Sequence, residues 1–557
     1  MKKTLLFLLL LPGSAWMLRA ETVAGLGTAT FPTSTHSEKA QHEFMRGLLL
    51  LHVFEYADSA KAFLAAEKID PGFAMAYWGE AMTFNHQVWN ELDVSAGQAA
   101  LSKFGATPEA RAGRIADPRE RAFMSSVEIL YDDKGTKRER DAQYATALEQ
   151  MRKAYPADDE VQLFYALALL GRSEGVRDVP TYLQAAAIAK AAFMRNRNHP
   201  GAAHYWIHGM DDPQHAAGAL EAARALSKIA PDAGHAQHMC SHIFMALGMW
   251  DDVVDSNVNG MRVVDEHARA AGLPVIDCGH YAIWLEYSYY QQGRMQDGNK
   301  ALAECKRTGT QAVAWARGQP PDAAGNAKRA QTWNRQTNVS LVRMRGIALV
   351  ESEDWSGPAA TMMVDTKDLS SATKGYDAFA TGYAAAERGE GELAASSLAS
   401  LRQVLVEEGA NPKADAEDVA DLGILADELG GLIASKAGDM EAAISQVRRA
   451  AAKYDGMAFD FGPPVSVKPP DELLGELLLK VKKAAEARAA FEASLKLAPR
   501  RARSLLGRAR AESAMGDTAA ATDTYGELLE IWKDADPGSR LTREAEHSIS
   551  GGSLAPK

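Results

Sequence analysis

Apolar residues recur at intervals of three and four along most of this chain, and polar residues fill the places between them. That period belongs to an α-helix with one buried face. Val161 to Leu170, Asp418 to Ala434 and Met440 to Ala452 are clear instances. Strand-favouring runs are scarce, and the chain is rich in Ala, Leu, Glu and Arg, which suit helices. Two breaks stand out. Thr310 to Ala330 reads as a loop between helices. Phe459-Asp-Phe-Gly-Pro-Pro464 through Pro469-Pro470 reads as a non-helical link, because four prolines interrupt it.

Small, aromatic and proline residues return in a frame of about 34 residues. Gly475, Ala487, Phe491 and Pro499 hold its eighth, twentieth, twenty-fourth and thirty-second places. Ala509, Gly516, Ala521 and Tyr525 follow in the next frame, and Gly47, Phe63, Ala66 and Pro71 fit near the N-terminus. Small residues let two antiparallel helices approach, an aromatic fills the space between hairpins, and proline ends the second helix.

This pattern resembles the tetratricopeptide repeat. The resemblance implies an all-α fold, a right-handed superhelical array of antiparallel helix pairs whose concave groove takes a protein or peptide partner. The organisation expected is a signal peptide over 1–20, repeats over 21–155, a His-rich set over 156–309 and a loop over 310–330. Degenerate helical pairs over 331–456, the proline-rich link over 457–470, C-terminal repeats over 471–547 and a disordered tail over 548–557 complete it. The chain is also similar to a group of secreted bacterial tetratricopeptide-repeat proteins with a His-rich centre. It shares with them His199-Pro-Gly-Ala-Ala-His204, Ile207-His208, Asp211-Asp212-Pro213, His235-Ala-Gln-His238-Met-Cys-Ser-His242 and the link from Phe459.

Lys2 and Lys3, the apolar run Leu5 to Leu11 and Leu18-Arg19-Ala20 read as an export signal, so a periplasmic or secreted location is expected. No later run is apolar enough to span a membrane. With a formal charge of −12 and no dense Lys/Arg stripe, nucleic acid is not an expected partner. Three cysteines make no disulfide scaffold. In the repeat frame Cys278 precedes one first helix and Cys305 lies near the end of the following second helix, so a disulfide fits an oxidising compartment; two buried thiols are the alternative.

Seven of the 14 histidines fall between His199 and His242. His204 and His208 are four apart, and His235, His238 and His242 sit at i, i+3 and i+7, so each set projects from one helix face. Imidazole is the commonest ligand for borderline transition metals. In the repeat frames the groove-lining places hold His204, His208 and Asp211, then His235, His238 and His242, then His280, Tyr287 and Tyr290. His204 and His208 should therefore face His238 and His242 across one helix gap. Four histidines would suit Zn²⁺ or Cu²⁺, and three with a carboxylate and an open place would suit a catalytic metal. Asp211 or Asp212 could ligate or fix an imidazole tautomer, and Asp212 reads better as the cap of a helix starting at Pro213. A polar peptide groove or a buried hydrogen-bond network would use the same residues without metal. Tyr287 and Tyr290 are candidate ligand contacts; Trp206, Phe244 and Trp284 read as core. His199 and His215 read as structural, and His36, His42, His52, His86, His267 and His547 receive no role.

Gly171-Arg-Ser-Glu-Gly175 matches a nucleophile elbow but follows a helical run with no strand, so it carries no weight. The reading reached is a scaffold that binds a protein or peptide and carries a histidine metal site. The alternatives are a metalloenzyme, with Asp211 or His235 as base, and a periplasmic metal carrier.

Overall fold

Phe63 is wedged between two helices at positions where they carry no side chain. A Cβ on Gly47 would lie 2.8 Å from the Phe63 ring, and one on Gly79 only 2.3 Å. The arrangement recurs near the other end of the chain, where Phe491 packs on Gly475 and Gly507 at 2.7 and 2.2 Å. Each ring is fully buried and joins its own hairpin to the first helix of the next. This is the physical content of the repeat pattern: glycine supplies the gap and the aromatic fills it.

The computed structural model describes residues 20–173, 176–320, 325–465 and 467–550. Among them are 26 α-helices, packed as antiparallel neighbours in chain order, a tetratricopeptide-like solenoid. Helix starts are set by familiar devices. Ser37 accepts from Ala40 N, Thr136 and Glu139 form a capping box, and Pro118, Pro200 and Pro470 occupy first-turn positions. Among the described residues two short hairpins accompany the helices, Glu21–Val23 with Gly27–Ala29 and Asn85–His86 with Glu91–Leu92. No helix among the described residues is long and apolar enough to cross a membrane.

The array bends back on itself. Trp250 Nε1 donates to Arg500 O at 3.0 Å, Trp532 Nε1 to Gln291 O at 3.1 Å, and Lys533 pairs with Asp251 at 2.6 Å. The C-terminal repeats thus pack against the middle of the chain. A buried cation holds this closure. Arg501 binds Glu472 at 2.8 Å, Glu351 at 2.6 Å and the Tyr287 hydroxyl at 2.9 Å, joining three helices to the start of its own.

Several expectations need correction. Thr310 to Ala330 is mostly helix: one helix runs Met295–Arg317 and the next Asn326–Ser352. No breaker occurs before Gly318, and Ala312, Val313 and Ala316 are buried at helical spacing. The proline-rich link ends one residue early, because Pro470 opens the Pro470–Lys480 helix. Pro213 does not begin a helix; the chain turns there and the helix is Leu220–Ile229. The tail expectation is shortened, since the Arg540–Ile549 helix includes Ser548. The export signal over 1–19, Glu174-Gly175 of the elbow motif and the end of the tail, 551–557, lie outside the described residues.

Candidate metal centre

The helices Pro200–Gly209, Gly234–Ala246 and His280–Gln291 are successive first helices of the solenoid, and they bring six histidines together. His199 sets the first of them: its Nδ1 accepts from Ala202 N, and Pro200 follows at the first helical place. The spacing then turns His204 and His208 to one face, and His235, His238 and His242 to the matching face of the next helix.

The grouping differs from the expected one. His204 and His208 do not close a four-nitrogen site with His238 and His242. One triad is His204, His208 and His235, and the other is His238, His242 and His280. Within each, one ring nitrogen per residue lies within 4.8 Å of the others. Each i, i+4 pair is completed from the first turn of the following first helix. A helix pair presents its neighbour's N-terminal turn, not its middle, to the end of the preceding groove face.

Hydrogen bonds fix the tautomers. His204 Nδ1 lies 2.7 Å from His52 O, which can only accept, so Nδ1 carries the proton. His238 Nδ1 donates to Asn257 Oδ1 at 2.7 Å, and the Asn257 amide is oriented by donating to Val253 O at 2.8 Å. His242 Nδ1 donates to Asp211 Oδ2 at 2.5 Å. Asp211 therefore orients a ring. The Nε2 atoms of His204 and His238 are left as bare lone pairs, and that of His242 faces His238.

The Nε2 atoms meet in pairs. His238 Nε2 and His242 Nε2 are 3.2 Å apart, and His204 Nε2 and His208 Nε2 are 3.1 Å apart. His208 can donate to His204, and His242, paired through Nδ1 with Asp211, donates to His238 whenever its ring is protonated. Two nitrogens on one tetrahedral Zn²⁺, with bonds of about 2.0–2.1 Å, lie roughly 3.3–3.4 Å apart. The pairs are close to that spacing and equally close to that of an N–H···N hydrogen bond.

Burial favours the neutral, coordinating form of four of these rings. It pushes His204 down to about 3, and His208, His235 and His238 well below the usual imidazole range. His235 Nε2 is buried and has no hydrogen-bond partner. Aromatic rings wall the site. Phe54 packs on His204 at 4.4 Å, Tyr281 on His238 at 4.4 Å, Trp284 on His242 at 4.5 Å and Phe461 on His242 at 4.9 Å between centroids. Phe461 belongs to the proline-rich link. Gly462 lets that link lie down: it has φ +104°, and a Cβ there would be 2.7 Å from Trp284 Cζ2.

A second cluster escaped the sequence reading. Glu160 accepts from His52 Nε2 at 2.8 Å and His199 Nε2 at 2.9 Å, all fully buried. His52 Nδ1 meets the Tyr205 hydroxyl at 2.9 Å, and His199 Nδ1 serves Ala202 N. Every ring nitrogen is used, so this is a hydrogen-bonded support whose far end, His52 O, orients His204. Burial alone would raise Glu160, but the two histidines offset it and hold the carboxyl below its usual range. A signal existed: His52 ends the apolar run Leu48 to Leu51, and a histidine there needs a buried partner.

The remaining candidates fall elsewhere. Tyr287 and Tyr290 are buried: Tyr287 borders the cavity beneath the proline-rich link while its hydroxyl is taken by Arg501, and Tyr290 donates to Asn299 Oδ1 at 2.8 Å. The turn of the solenoid covers their helix with the C-terminal repeats. Asp212 accepts from Gln214 N and His215 N and pairs with Arg177 at 2.6 Å, so it caps a turn. Cys240 is buried, which raises its thiol to about 12 and makes it a poor ligand. A disulfide joins Cys278 and Cys305, two residues before His280.

Two cavities adjoin the histidines. One, of about 440 Å³, is bordered by His235 and His280 with Trp89, Met261, Ile276 and Tyr281. The other lies beneath the proline-rich link, bordered by His242, Trp250 and Tyr454 and by carboxylates that include Asp421, Asp460 and Asp471.

No family model matches the chain, and no curated protein does. Among solved structures it is similar to the Cut9–Hcn1 hetero-tetramer of the APC/C, at 12% identity over 93% of this chain and 78% of that one, TM-score 0.34. Yeast Tom70 matches at 10% identity over 93% and 88%, TM-score 0.26. A monomeric IFIT1 mutant solved with m7Gppp-AAAA matches at 11% identity over 86% and 95%, TM-score 0.32.

Proposed function

We propose that this protein is a helical scaffold that binds a transition metal, Zn²⁺ or Cu²⁺ class, through its histidine triads and presents that centre to a protein or peptide partner. The convergence of three ring nitrogens in each triad, within 4.8 Å of one another, carries the reading. His238 keeps a free Nε2 lone pair because Asn257 takes its Nδ1 proton, and His235 Nε2 is buried without a hydrogen-bond partner. The acid-lined cavity beside His242 suits a basic side chain of such a partner. An exported location fits the leader pattern and a disulfide beside the site.

A second reading, metal-dependent catalysis, draws on one observation. Each triad offers three nitrogens, and a third histidine of each borders a cavity, which leaves a coordination place for another molecule. The test of the main reading is elemental analysis of the mature chain, purified without a histidine tag, beside a His238→Ala/His242→Ala variant. Stoichiometric metal that is reduced in the variant supports it. No uptake of Zn²⁺ or Cu²⁺ by either protein overturns it.

A further inference from the structure

The cavity beneath the proline-rich link has a volume of about 100 Å³ and, among the described residues, is bordered by six carboxylates and by no Lys or Arg. Asp211, Asp421 and Asp471 are buried, while Glu417, Asp455 and Asp460 stand nearer the solvent. Two of the buried three are engaged. Asp211 binds His242 Nδ1, and Asp421 accepts from the Tyr376 hydroxyl at 3.0 Å. Asp471 is only 6% exposed, and its Oδ2 has no hydrogen-bond partner among the described residues. A buried carboxylate oxygen in that state needs a proton or a donor. Burial, and then Asp455 beside it, raise Asp471 to about 7.

The nearest cations stand outside the space. Arg343 acts on Asp421 and Asp460, and Arg501 is held by Glu472, Glu351 and the Tyr287 hydroxyl. The remaining walls include Trp250, Tyr287, Tyr454 and Phe459, with Met245 and Leu497. Aromatic faces attract an organic cation, and apolar walls accept the alkyl chain that carries it. An inorganic cation instead gathers several oxygens at one point. Among the described residues, the carboxylates of this cavity form no set of three as close together as the histidine nitrogens.

We infer that this cavity binds a primary alkylammonium ion, with its head on Asp471 and its chain against Trp250, Tyr287 and Phe459. That chemistry is shared by the lysine side chain of a partner and by a free aliphatic amine. The assignment deepens the partner half of the proposed function and needs no bound metal.

The experiment is a calorimetric titration of the full chain with cadaverine and, separately, with a capped tripeptide that has a central lysine. Pentanol and Ca²⁺ are run as comparisons, and Asp471→Asn and Asp421→Asn beside the native protein, with thermal unfolding as the check on both folds. The expected result is saturable binding of an amine and none of pentanol. Asp471→Asn should weaken it by about 10- to 100-fold, the effect of losing a hydrogen bond to a charged group. Asp421→Asn should weaken it in the same direction, which keeps the assignment testable if one variant unfolds. Binding of cadaverine alone would identify a free amine as the ligand, and binding of the peptide alone a lysine side chain; either supports the site. Binding abolished by chelator treatment would put the amine on a histidine-held metal and overturn the cavity assignment. Binding of Ca²⁺ in place of the amines, lost in Asp471→Asn, would overturn the ammonium assignment. No binding of either amine by the native protein, or equal binding by the native protein and both variants, would overturn the proposal, while the metal content of the same preparation reads the histidine centre separately.

Discussion

Asn257 Oδ1 accepts the Nδ1 proton of His238 at 2.7 Å, and the same amide donates to Val253 O at 2.8 Å. The asparagine cannot turn over without losing both bonds, so it holds one tautomer of one ring. Groups in this position typically contribute 10- to 100-fold to metal affinity. Asn257→Leu is expected to weaken metal binding by about that factor and to destabilise the fold by about 1–3 kcal/mol, because a buried N–H loses its acceptor. Asn257→Asp keeps the acceptor and should keep the affinity. Chelator competition and urea unfolding read the two effects separately.

The Arg501 cluster predicts a large loss from one truncation. Arg501→Met leaves Glu351 buried without its cation and Glu472 with Lys468 alone, which costs about 3–5 kcal/mol. Burial would raise Glu472, but Arg501 and Lys468 overcome this and hold it well below the usual range. A carboxyl depressed in the folded state contributes stability above its unfolded pKa and loses it as pH falls. The native protein should therefore lose stability below about pH 4.5 more steeply than an Arg501→Met/Glu472→Gln/Glu351→Gln variant, as followed by urea unfolding at stepped pH.

Glu286 runs the other way. Its carboxylate is fully buried with no hydrogen-bond partner, and burial, aided by Glu351, raises it well above the usual range. A raised carboxyl binds its proton more tightly when folded, so its contribution is present at low pH and lost as pH climbs from the ordinary carboxylate value toward the folded one. Glu286→Gln should raise stability at pH 7 by at least about 1 kcal/mol and change little at pH 4. Equal stability of the two proteins at pH 7 would show that Glu286 has a partner there.

The wedge between repeats gives the test of the fold. Gly507→Ala places a Cβ 2.2 Å from Phe491, a clash that should cost about 1–3 kcal/mol. Phe491→Ala should cost about 3–5 kcal/mol through the cavity it leaves. The double variant should cost less than the sum, since the methyl enters space the ring has vacated. Thermal unfolding with a double-mutant cycle measures this.

The disulfide closes a sequence separation of 27 residues around the approach to His280. Cys278→Ser/Cys305→Ser should lower stability by about 3.5 kcal/mol on the loop-entropy model, measured against the native protein with and without reductant.

The fold was legible because its signal is periodic. Phe63 and Phe491 sit where the frame put them, and the glycines opposite are in the same sequence pattern. The histidines that converge were also legible, because a helix face is set by spacing alone. Their partition was not. Spacing says that His204 and His208 share a face; it does not say that His235, rather than His238, completes their set, since that depends on the axial offset between packed helices. Tyr290 was misplaced for a related reason: it turns into its own hairpin, against Gly298 and Asn299. Tyr287 borders a cavity, but the chain turns back and Arg501 arrives from far along the sequence to take its hydroxyl. His52 and Glu160 were missed because their roles exist only in the assembled molecule.

Phe461, which lies on His242, follows it in the chain by a long interval, while His52, which orients His204, precedes it by another. A polypeptide made amino end first therefore completes both sets of imidazoles before the segment that roofs one of them has been synthesised. Any product stopped short of the proline-rich link would carry all six rings, with His242 and Trp284 bare to whatever surrounds the nascent chain. The centre belongs to the finished molecule: a fragment bearing every one of its histidines would still lack its roof.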